Sequence, residues 1–447
     1  MDNSSTLLVG NGRLITHDDR MPLIEDGCIA IRSGLIAEVG ATADLLKSYP
    51  AAPFVNARNR IIMPGLINTH MHLYSTFARG MALKDDAPGN FLEILERLWW
   101  RLDKVLSLED VYLSAMVALI GCIRNGTTTI FDHHSSPGAV TGSLFRIADA
   151  VRQTGVRSCL CYEVSDRNGA EVTDQGIGEN RAFLQNCKLH EDSLLRGIFG
   201  LHASFTLSDK TLARCVRFAG ELDAGFHIHA AEAKADVAQC QREHGKRVVQ
   251  RLHDLGILGS KTITAHCVHV NDSEIDLLQA SKTNVVHNPE SNMANAVGSA
   301  PVLEMIHRGV RVGLGTDGYT TDMFESLKVA NALQKHQTRQ PSAGWAEVPA
   351  MLFGENAAIA SECFGRPVGK LIPGAYADMI IVDYDPPTPL CAGNISSHIL
   401  FGISGPSVDT TIIGGKVVMK NRKLLAIDEE EVMAKARAAA TKMWQRF

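Results

Sequence analysis

The first sixty residues alternate short apolar stretches with turn residues. LLVGN, GRLITH, GCIAIRSG and LIAEVG are rich in β-formers, are broken by Gly, Asp and Asn, and show no helical period. The same texture returns near the C-terminus in ADMIIVDYD and VDTTIIGGKVVMKNRKLLA, where Gly414–Gly415 predicts a hairpin turn. Neither end has enough strands to bury a face alone. The pattern therefore predicts one small β-sandwich built from both ends, residues 1–60 and 369–427. An amphipathic helix over 428–447 follows, able to pack on either domain.

Between the two ends, apolar runs alternate with helical periods. The predicted strands are 61–72, 127–134, 157–164, 195–203, 225–232, 262–267, 284–288 and 311–318, and each is followed by a helical segment. Continuous apolar strands alternating with helices predict a parallel sheet covered by helices. Eight such units over residues 61–368 predict an α/β fold of the closed (β/α)8 TIM-barrel type. The segment 84–100, KDDAPGNFLEILERLWW, reads as a long loop after the first strand that roofs the barrel mouth.

Composition narrows the class. With 45% hydrophobic and 21% charged residues among 447, the chain is globular, and its length suits one large domain plus a smaller one. The 44 basic and 49 acidic residues give a net charge of −5, so neither nucleic acid nor a membrane surface is an expected partner. No apolar run reaches about 18 residues and MDNSSTLLVGNG lacks the features of a signal peptide. Ten scattered cysteines without a CxxC fit reduced thiols, and a cytoplasmic location is the expectation.

The histidines carry the chemistry. His70 and His72 end the first predicted strand, and Asp132, His133 and His134 end the second. His202 ends the fourth, His229 and Glu232 the fifth, and His266 the sixth. His287 and Asn288 end the seventh, and Asp317 the eighth. In a barrel these ends converge on the face where such folds place their chemistry. An H-x-H pair alone is more often a packing pair than a ligand pair. On a strand, however, its imidazoles share a face about 6–7 Å apart. His229 lies nearer the strand's C-terminal end than His227 and is assigned the metal, leaving His227 a supporting role. Three imidazoles (His70, His72, His229) and the Asp317 carboxylate suit Zn²⁺ first and Fe²⁺ second, with one position open for water. A cation there lowers the pKa of its water toward 7. Asp317 is then the general base, Glu232 the proton carrier to a ring nitrogen and leaving group, and His266 the group that bonds or polarises the reacting centre.

These residues sit in motifs that resemble the amidohydrolase superfamily, in its cytosine/guanine deaminase and chlorohydrolase branch. The motifs are MPGLINTHMH, GTTTIFDHH, FHIHAAEAK, TAHCVHV, VHNPESNM, GLGTDG and GKLIPGAYADMIIVD, in order from 61 to 383. Within that branch, LWWRLDK, DHHSSP, DRN at 166–168, HNPESNMANAVG and GTDGYTTDMFES resemble an aminohydrolase group whose label fixes no substrate. The resemblance implies one metal on His70, His72, His229 and Asp317, proton transfer by Glu232 and His266, and substrate contact by His202 in LHASFT. The fourth strand end lacks the lysine of binuclear relatives, so a single metal ion is implied. LHASFT also departs from the usual PHAPYT, on the substrate side of the site.

The leading expectation is deamination of a small aminated N-heterocycle (purine, pterin or pyrimidine) with release of ammonia. The alternative is ring opening of a cyclic amide or dechlorination of a triazine-like ring. Trp99, Trp100 and Phe205 are candidates for stacking, and His202, His133 or His134, and Asn288 for contacts to ring edges. At most one of His133 and His134 faces the site, because they are adjacent on a strand. The exposed sandwich face and the last helix are the candidate surfaces for a homo-oligomer.

Overall fold

Strands from both chain ends hydrogen-bond into one nine-stranded sheet in the computed structural model, which describes residues 6–447. Thr6–Ile15, Leu23–Arg32 and Leu35–Ala41 form its antiparallel N-terminal part. Met379–Val382, Val408–Ile413 and Lys416–Lys420 form the C-terminal part. Gly414 and Gly415 make the expected hairpin, both with positive φ (54° and 74°), as a primed turn requires.

The joint between the two parts corrects the sequence reading. Residues 61–72 are two strands, and the first, Ile61–Pro64, belongs to the terminal sheet. It runs parallel to Arg13–Leu14 on one side and antiparallel to Met379–Val382 on the other. The expected sandwich is thus one continuously bonded sheet. Its alternation explains the uninterrupted apolar runs IIMP and MIIV. Ile62, Met379 and Ile381 pack with Val9, Leu14, Ile29 and Ile412, while Ile61, Met63, Ile380 and Val382 join the main core. Both faces of this strand pair are buried.

The rest is a mixed α/β arrangement of two parallel sheets. Leu66–Met71, Thr127–His134, Arg157–Tyr162 and Leu195–Gly197 form one. Phe199–Ala203, Phe226–Ala230, Ile263–His266, Asn284–His287 and Val312–Leu314 form the other. The fourth predicted strand is therefore split at Ile198. Its first half continues the sheet of Arg157–Tyr162 and its second half pairs with Phe226–Ala230. The sheets also touch at both edges, through parallel bridges between Met71 and Asp317 and between Val164 and Leu201.

Helices alternate with these strands, and two of them begin with capping boxes. Ser107 and Asp110 form a capping box on Leu108–Arg124. Asn271 and Glu274 do the same on Asp272–Ala280. The last helix, Glu429–Arg446, packs against the parallel-strand region. Its Trp444 indole donates to Phe77 O (2.8 Å) and Arg446 pairs with Asp110 (2.5 Å). The segment expected as a roofing loop is helical instead: Phe91–Ile94, a π turn Leu95–Trp99, and Trp100–Val105. Its apolar residues turn toward the strand ends, and a π turn is a frequent feature of functional segments. Among the described residues no single helix is long and apolar enough to cross a membrane.

Candidate active site

Strand geometry brings the proposed ligands together. Asp317 arrives where the chain after Val312–Leu314 meets Leu66–Met71, and its N–H donates to His70 O (3.0 Å). A side chain at Gly315 would lie 2.5 Å from Asn288 Oδ1 and 2.8 Å from His70 O, so this approach requires glycine. The strand ends then turn sharply. Ala231, His266 and Asp317 all adopt left-handed backbone (φ 48°, 75° and 55°), at a cost of order 1 kcal/mol or more each.

The tautomers at the centre follow from their partners. His72 Nδ1 faces His133 O at 2.5 Å and His229 Nδ1 faces His202 O at 2.9 Å. A carbonyl only accepts, so each Nδ1 carries the proton and each Nε2 presents a lone pair. Those two Nε2 atoms lie 3.2 Å apart, and Asp317 Oδ1 lies 3.0 Å from His72 Nε2. His70 Nε2 is buried without a hydrogen-bond partner, 3.7 Å from the same carboxylate oxygen. Two lone pairs, the unpartnered Nε2 of His70 and an anion converge on one point, an arrangement that a cation among them would relieve. The donor set thus fits a divalent metal ion. Burial disfavours the charged form of His72, yet the Asp317 carboxylate raises its pKa to about 9, the same demand for positive charge expressed as a proton.

Two further groups stand beside this set. His266 Nε2 lies 3.5 Å from Glu232 Oε2 and 3.8 Å from Asp317 Oδ2. His266 Nδ1 accepts from Asn292 Nδ2 (2.8 Å), which leaves the proton on Nε2, and burial lowers its pKa to about 4. Burial and then the Asp317 charge push Glu232 well above the usual carboxylate range, toward the protonated form. Ser291 Oγ donates to Asp317 Oδ2 (2.5 Å) and Gly318 N–H to Oδ1 (2.8 Å).

A cavity of about 210 Å³ opens over His72, His229, Glu232 and Asp317. Leu95, Leu98, Trp99, Trp100, Phe205 and Tyr319 wall it. His202 lines it with Nδ1 held by Thr206 Oγ1 (2.7 Å), and burial lowers its pKa to about 3, so it enters as a neutral imidazole. Of the residues expected to contact substrate, His202 and Trp99 line this cavity.

His133 and Asn288 do not. His133 Nε2 points to the carbonyls of Leu201 and His227 (3.1 Å each), and its fully buried ring lies beneath the cavity floor, 4.6 Å from the His229 ring. His134 bonds Ser136 Oγ (2.9 Å) on the other side of the strand. Of the adjacent pair it is His133 that turns toward the cluster, as support. Asn288 is fully buried against Val286 O and His266 Nδ1. His227, assigned no ligand role, holds His70 Nδ1 at 2.9 Å and so aims its free Nε2.

The sequence reading missed Glu163, Asp103, Ser291 and Asn295, all of which line the cavity. Ser291 and Asn295 lay within HNPESNMAN, a motif already singled out. Asp103 likewise lay within the quoted LWWRLDK, whereas Glu163 gave no such signal because it falls inside the apolar predicted strand 157–164.

The sequence profile described as Amidohydrolase family matches residues 61–418, and that of an imidazolonepropionase-like composite domain of bacteria matches 27–52. The chain is 33% identical to a 5'-deoxyadenosine deaminase of Methanosarcina mazei, covering 98% of this chain and 99% of that protein. It is 32% identical to a 5-methylthioadenosine/S-adenosylhomocysteine deaminase of Pelotomaculum thermopropionicum, covering 99% and 100%. The fold superposes on the crystal structure of a zinc-bound adenosine deaminase of Xanthomonas campestris with a TM-score of 0.87, at 25% identity and 98% coverage of both chains.

Proposed function

We infer, for a chain that belongs to the amidohydrolase family, which residues perform its chemistry. The protein is a metal-dependent hydrolase that deaminates an aminated N-heterocycle, breaking a carbon–nitrogen bond in a cyclic amidine. We read the two parallel sheets, joined at both edges, as one closed (β/α)8 barrel, with the terminal sheet as a separate small domain. His70, His72, His229 and Asp317 are the ligands for one divalent cation, Zn²⁺ by donor type. Bound there, the cation supplies a water acidified toward neutral pKa.

The chain's own groups do the rest. Asp317 takes the proton of the attacking water, and the His266 Nε2–H steadies the oxygen as charge develops. Glu232 gives its proton to the ring nitrogen beside the amino-bearing carbon. Of the two protons of the attacking water, the one taken by Asp317 passes to the departing amine, which leaves as ammonia, and the other returns to Glu232 as the new carbonyl forms. The neutral His202 bonds the ring edge, while Trp99, Trp100 and Phe205 pack its faces and exclude water. The single observation behind this reading is the Glu232–His266–Asp317 triangle, set beside a converging lone-pair cluster at the floor of an aromatic cavity.

The test is ammonia release from purines, pterins and pyrimidines by protein of known metal content. Near one equivalent of metal together with ammonia from one ring class is the expected result. Metal-loaded protein that releases ammonia from no aminated ring would overturn it.

A further inference from the structure

The reaction above uses Glu232 but leaves a second buried carboxylate at the cavity floor without work. Glu163 is 4% exposed and lines the cavity. Its neighbours inside the protein do not satisfy it. His133 Nδ1 lies 3.3 Å from Oε2 yet makes no hydrogen bond, and Arg167 Nη2 stops 3.8 Å from Oε1. That Nη2 is committed elsewhere: it pairs tightly with Asp103 and bonds Ser135 Oγ at 3.2 Å, the guanidinium stacks 5.2 Å from the Trp100 ring, and Nε and Nη1 meet no acceptor. One arginine thus faces two carboxylates, and Asp103 holds it. A buried anionic acceptor aimed at a ligand cavity requires a donor, and the protein supplies none of good geometry.

Position says which part of a substrate would supply that donor. An oxygen of Glu163 lies within 4.8 Å of ligand atoms of His72 and His229, beside the metal ligands and not at the cavity mouth. Glu232 groups instead with His266 and Asp317, a cluster sharing no member with the first. Glu163 follows Arg157–Tyr162 in one parallel sheet and Glu232 follows Phe226–Ala230 in the other, so the two carboxyls reach the cavity from different strands. Glu232 carries a proton to a bare ring nitrogen. Glu163, from its own strand, is an acceptor and matches a ring N–H. Among the described residues no lysine or arginine lines the cavity, so nothing there pairs a phosphate, whereas Asp103, Glu163, Glu232, Asp236 and Asp317 all do line it.

We propose that Glu163 is a specificity-determining residue that accepts a hydrogen bond from a lactam N–H flanking the amino-bearing carbon, so that the substrate is an unphosphorylated 2-amino-4-oxo type heterocycle. Guanine, pterin and isocytosine have this pattern, with a bare nitrogen on one side of the reacting carbon and N–H on the other. Adenine has carbon on the second side. The proposal deepens the deaminase reading and rests on it.

The test compares wild-type, Glu163→Gln and Glu163→Ala holoenzymes, with metal content measured for each. Substrates are guanine, pterin and isocytosine, each beside its N-methyl-lactam form, with adenine and adenosine as references. The wild type is expected to prefer an N–H ring over its N-methyl form by about 100-fold or more in kcat/KM, since a site built around one donor rejects an analogue lacking it. Glu163→Ala should erase most of that preference with metal content unchanged, and Glu163→Gln, which keeps the shape and one acceptor, should retain part of it. The inference is overturned if the preference survives in Glu163→Ala, if both forms fall equally, or if the wild type deaminates only adenine-type rings. Release of ammonia from none of these rings by metal-loaded wild type would instead remove the deaminase reading beneath it.

Discussion

The two ends of the parallel strands are built on opposite terms. At their N-terminal end the ionic groups are fully satisfied. Arg157 and Asp378, 0% and 1% exposed, meet through two bonds (2.7 and 3.0 Å), Asp378 also accepts from the Gly414 N–H (2.7 Å), and the guanidinium stacks 3.7 Å from the Tyr376 ring. At the C-terminal end the groups are left wanting. His70 Nε2 and both oxygens of Glu290 have no partner, three residues sit in left-handed backbone, and lone pairs converge. Bonding that is complete gives stability; bonding withheld leaves atoms free for a cation and a substrate. The same sheet carries both because its strands run in one direction.

Substitutions should separate the ends. Glu232→Gln removes the proton carrier at the C-terminal end and is expected to lower kcat by about 10²–10⁴-fold while metal content and melting temperature hold. Steady-state kinetics beside metal analysis check it, and loss of the metal would argue for a ligand role. Asp378→Ala at the opposite end should leave a buried arginine unpaired and cost about 3–5 kcal/mol in denaturant unfolding, with kcat/KM of the folded protein unchanged. A loss of activity without loss of stability would reverse the comparison.

A third substitution uses pH. Glu290 follows the strand Asn284–His287, is 6% exposed, and is raised by burial to about 7. Its folded pKa is above its unfolded value, so its stabilising contribution is full below the unfolded pKa near 4.5 and is lost as pH rises through about 7. By linkage the wild type should lose about 3 kcal/mol at this residue between pH 5 and 8, and Glu290→Gln should flatten that slope. Parallel slopes for the two proteins would place the titration elsewhere. The smallest effect is expected from His227→Phe. Losing the partner that aims His70 should weaken metal affinity about 10–100-fold, measured by competition with a chelator, with the fold intact.

How far each end was legible in the sequence follows from the same physics. Strand-end histidines show in a sequence because apolar runs mark the strands and a polar residue at their end stands out, as His70, His72, His229, His266 and Asp317 do. Parity along a strand told that His133 and His134 face opposite ways. It did not tell how deep His133 would sit, because that depends on carbonyls from strands Phe199–Ala203 and Phe226–Ala230. Asn288 likewise stood at a strand end yet serves His266. Glu163 was invisible because its meaning depends on Arg167 being taken by Asp103, a contact across about sixty residues of chain. The joint at Ile61–Pro64 was missed because an apolar strand buried on both faces reads alike in either sheet.

The most direct measurement is metal content and ammonia release taken side by side on wild type, His229→Ala and Glu232→Gln. One ion per chain with turnover in the wild type, loss of both in His229→Ala, and retained metal without turnover in Glu232→Gln is the predicted pattern. Two ions per chain, full metal in His229→Ala, or undiminished turnover in Glu232→Gln would contradict it.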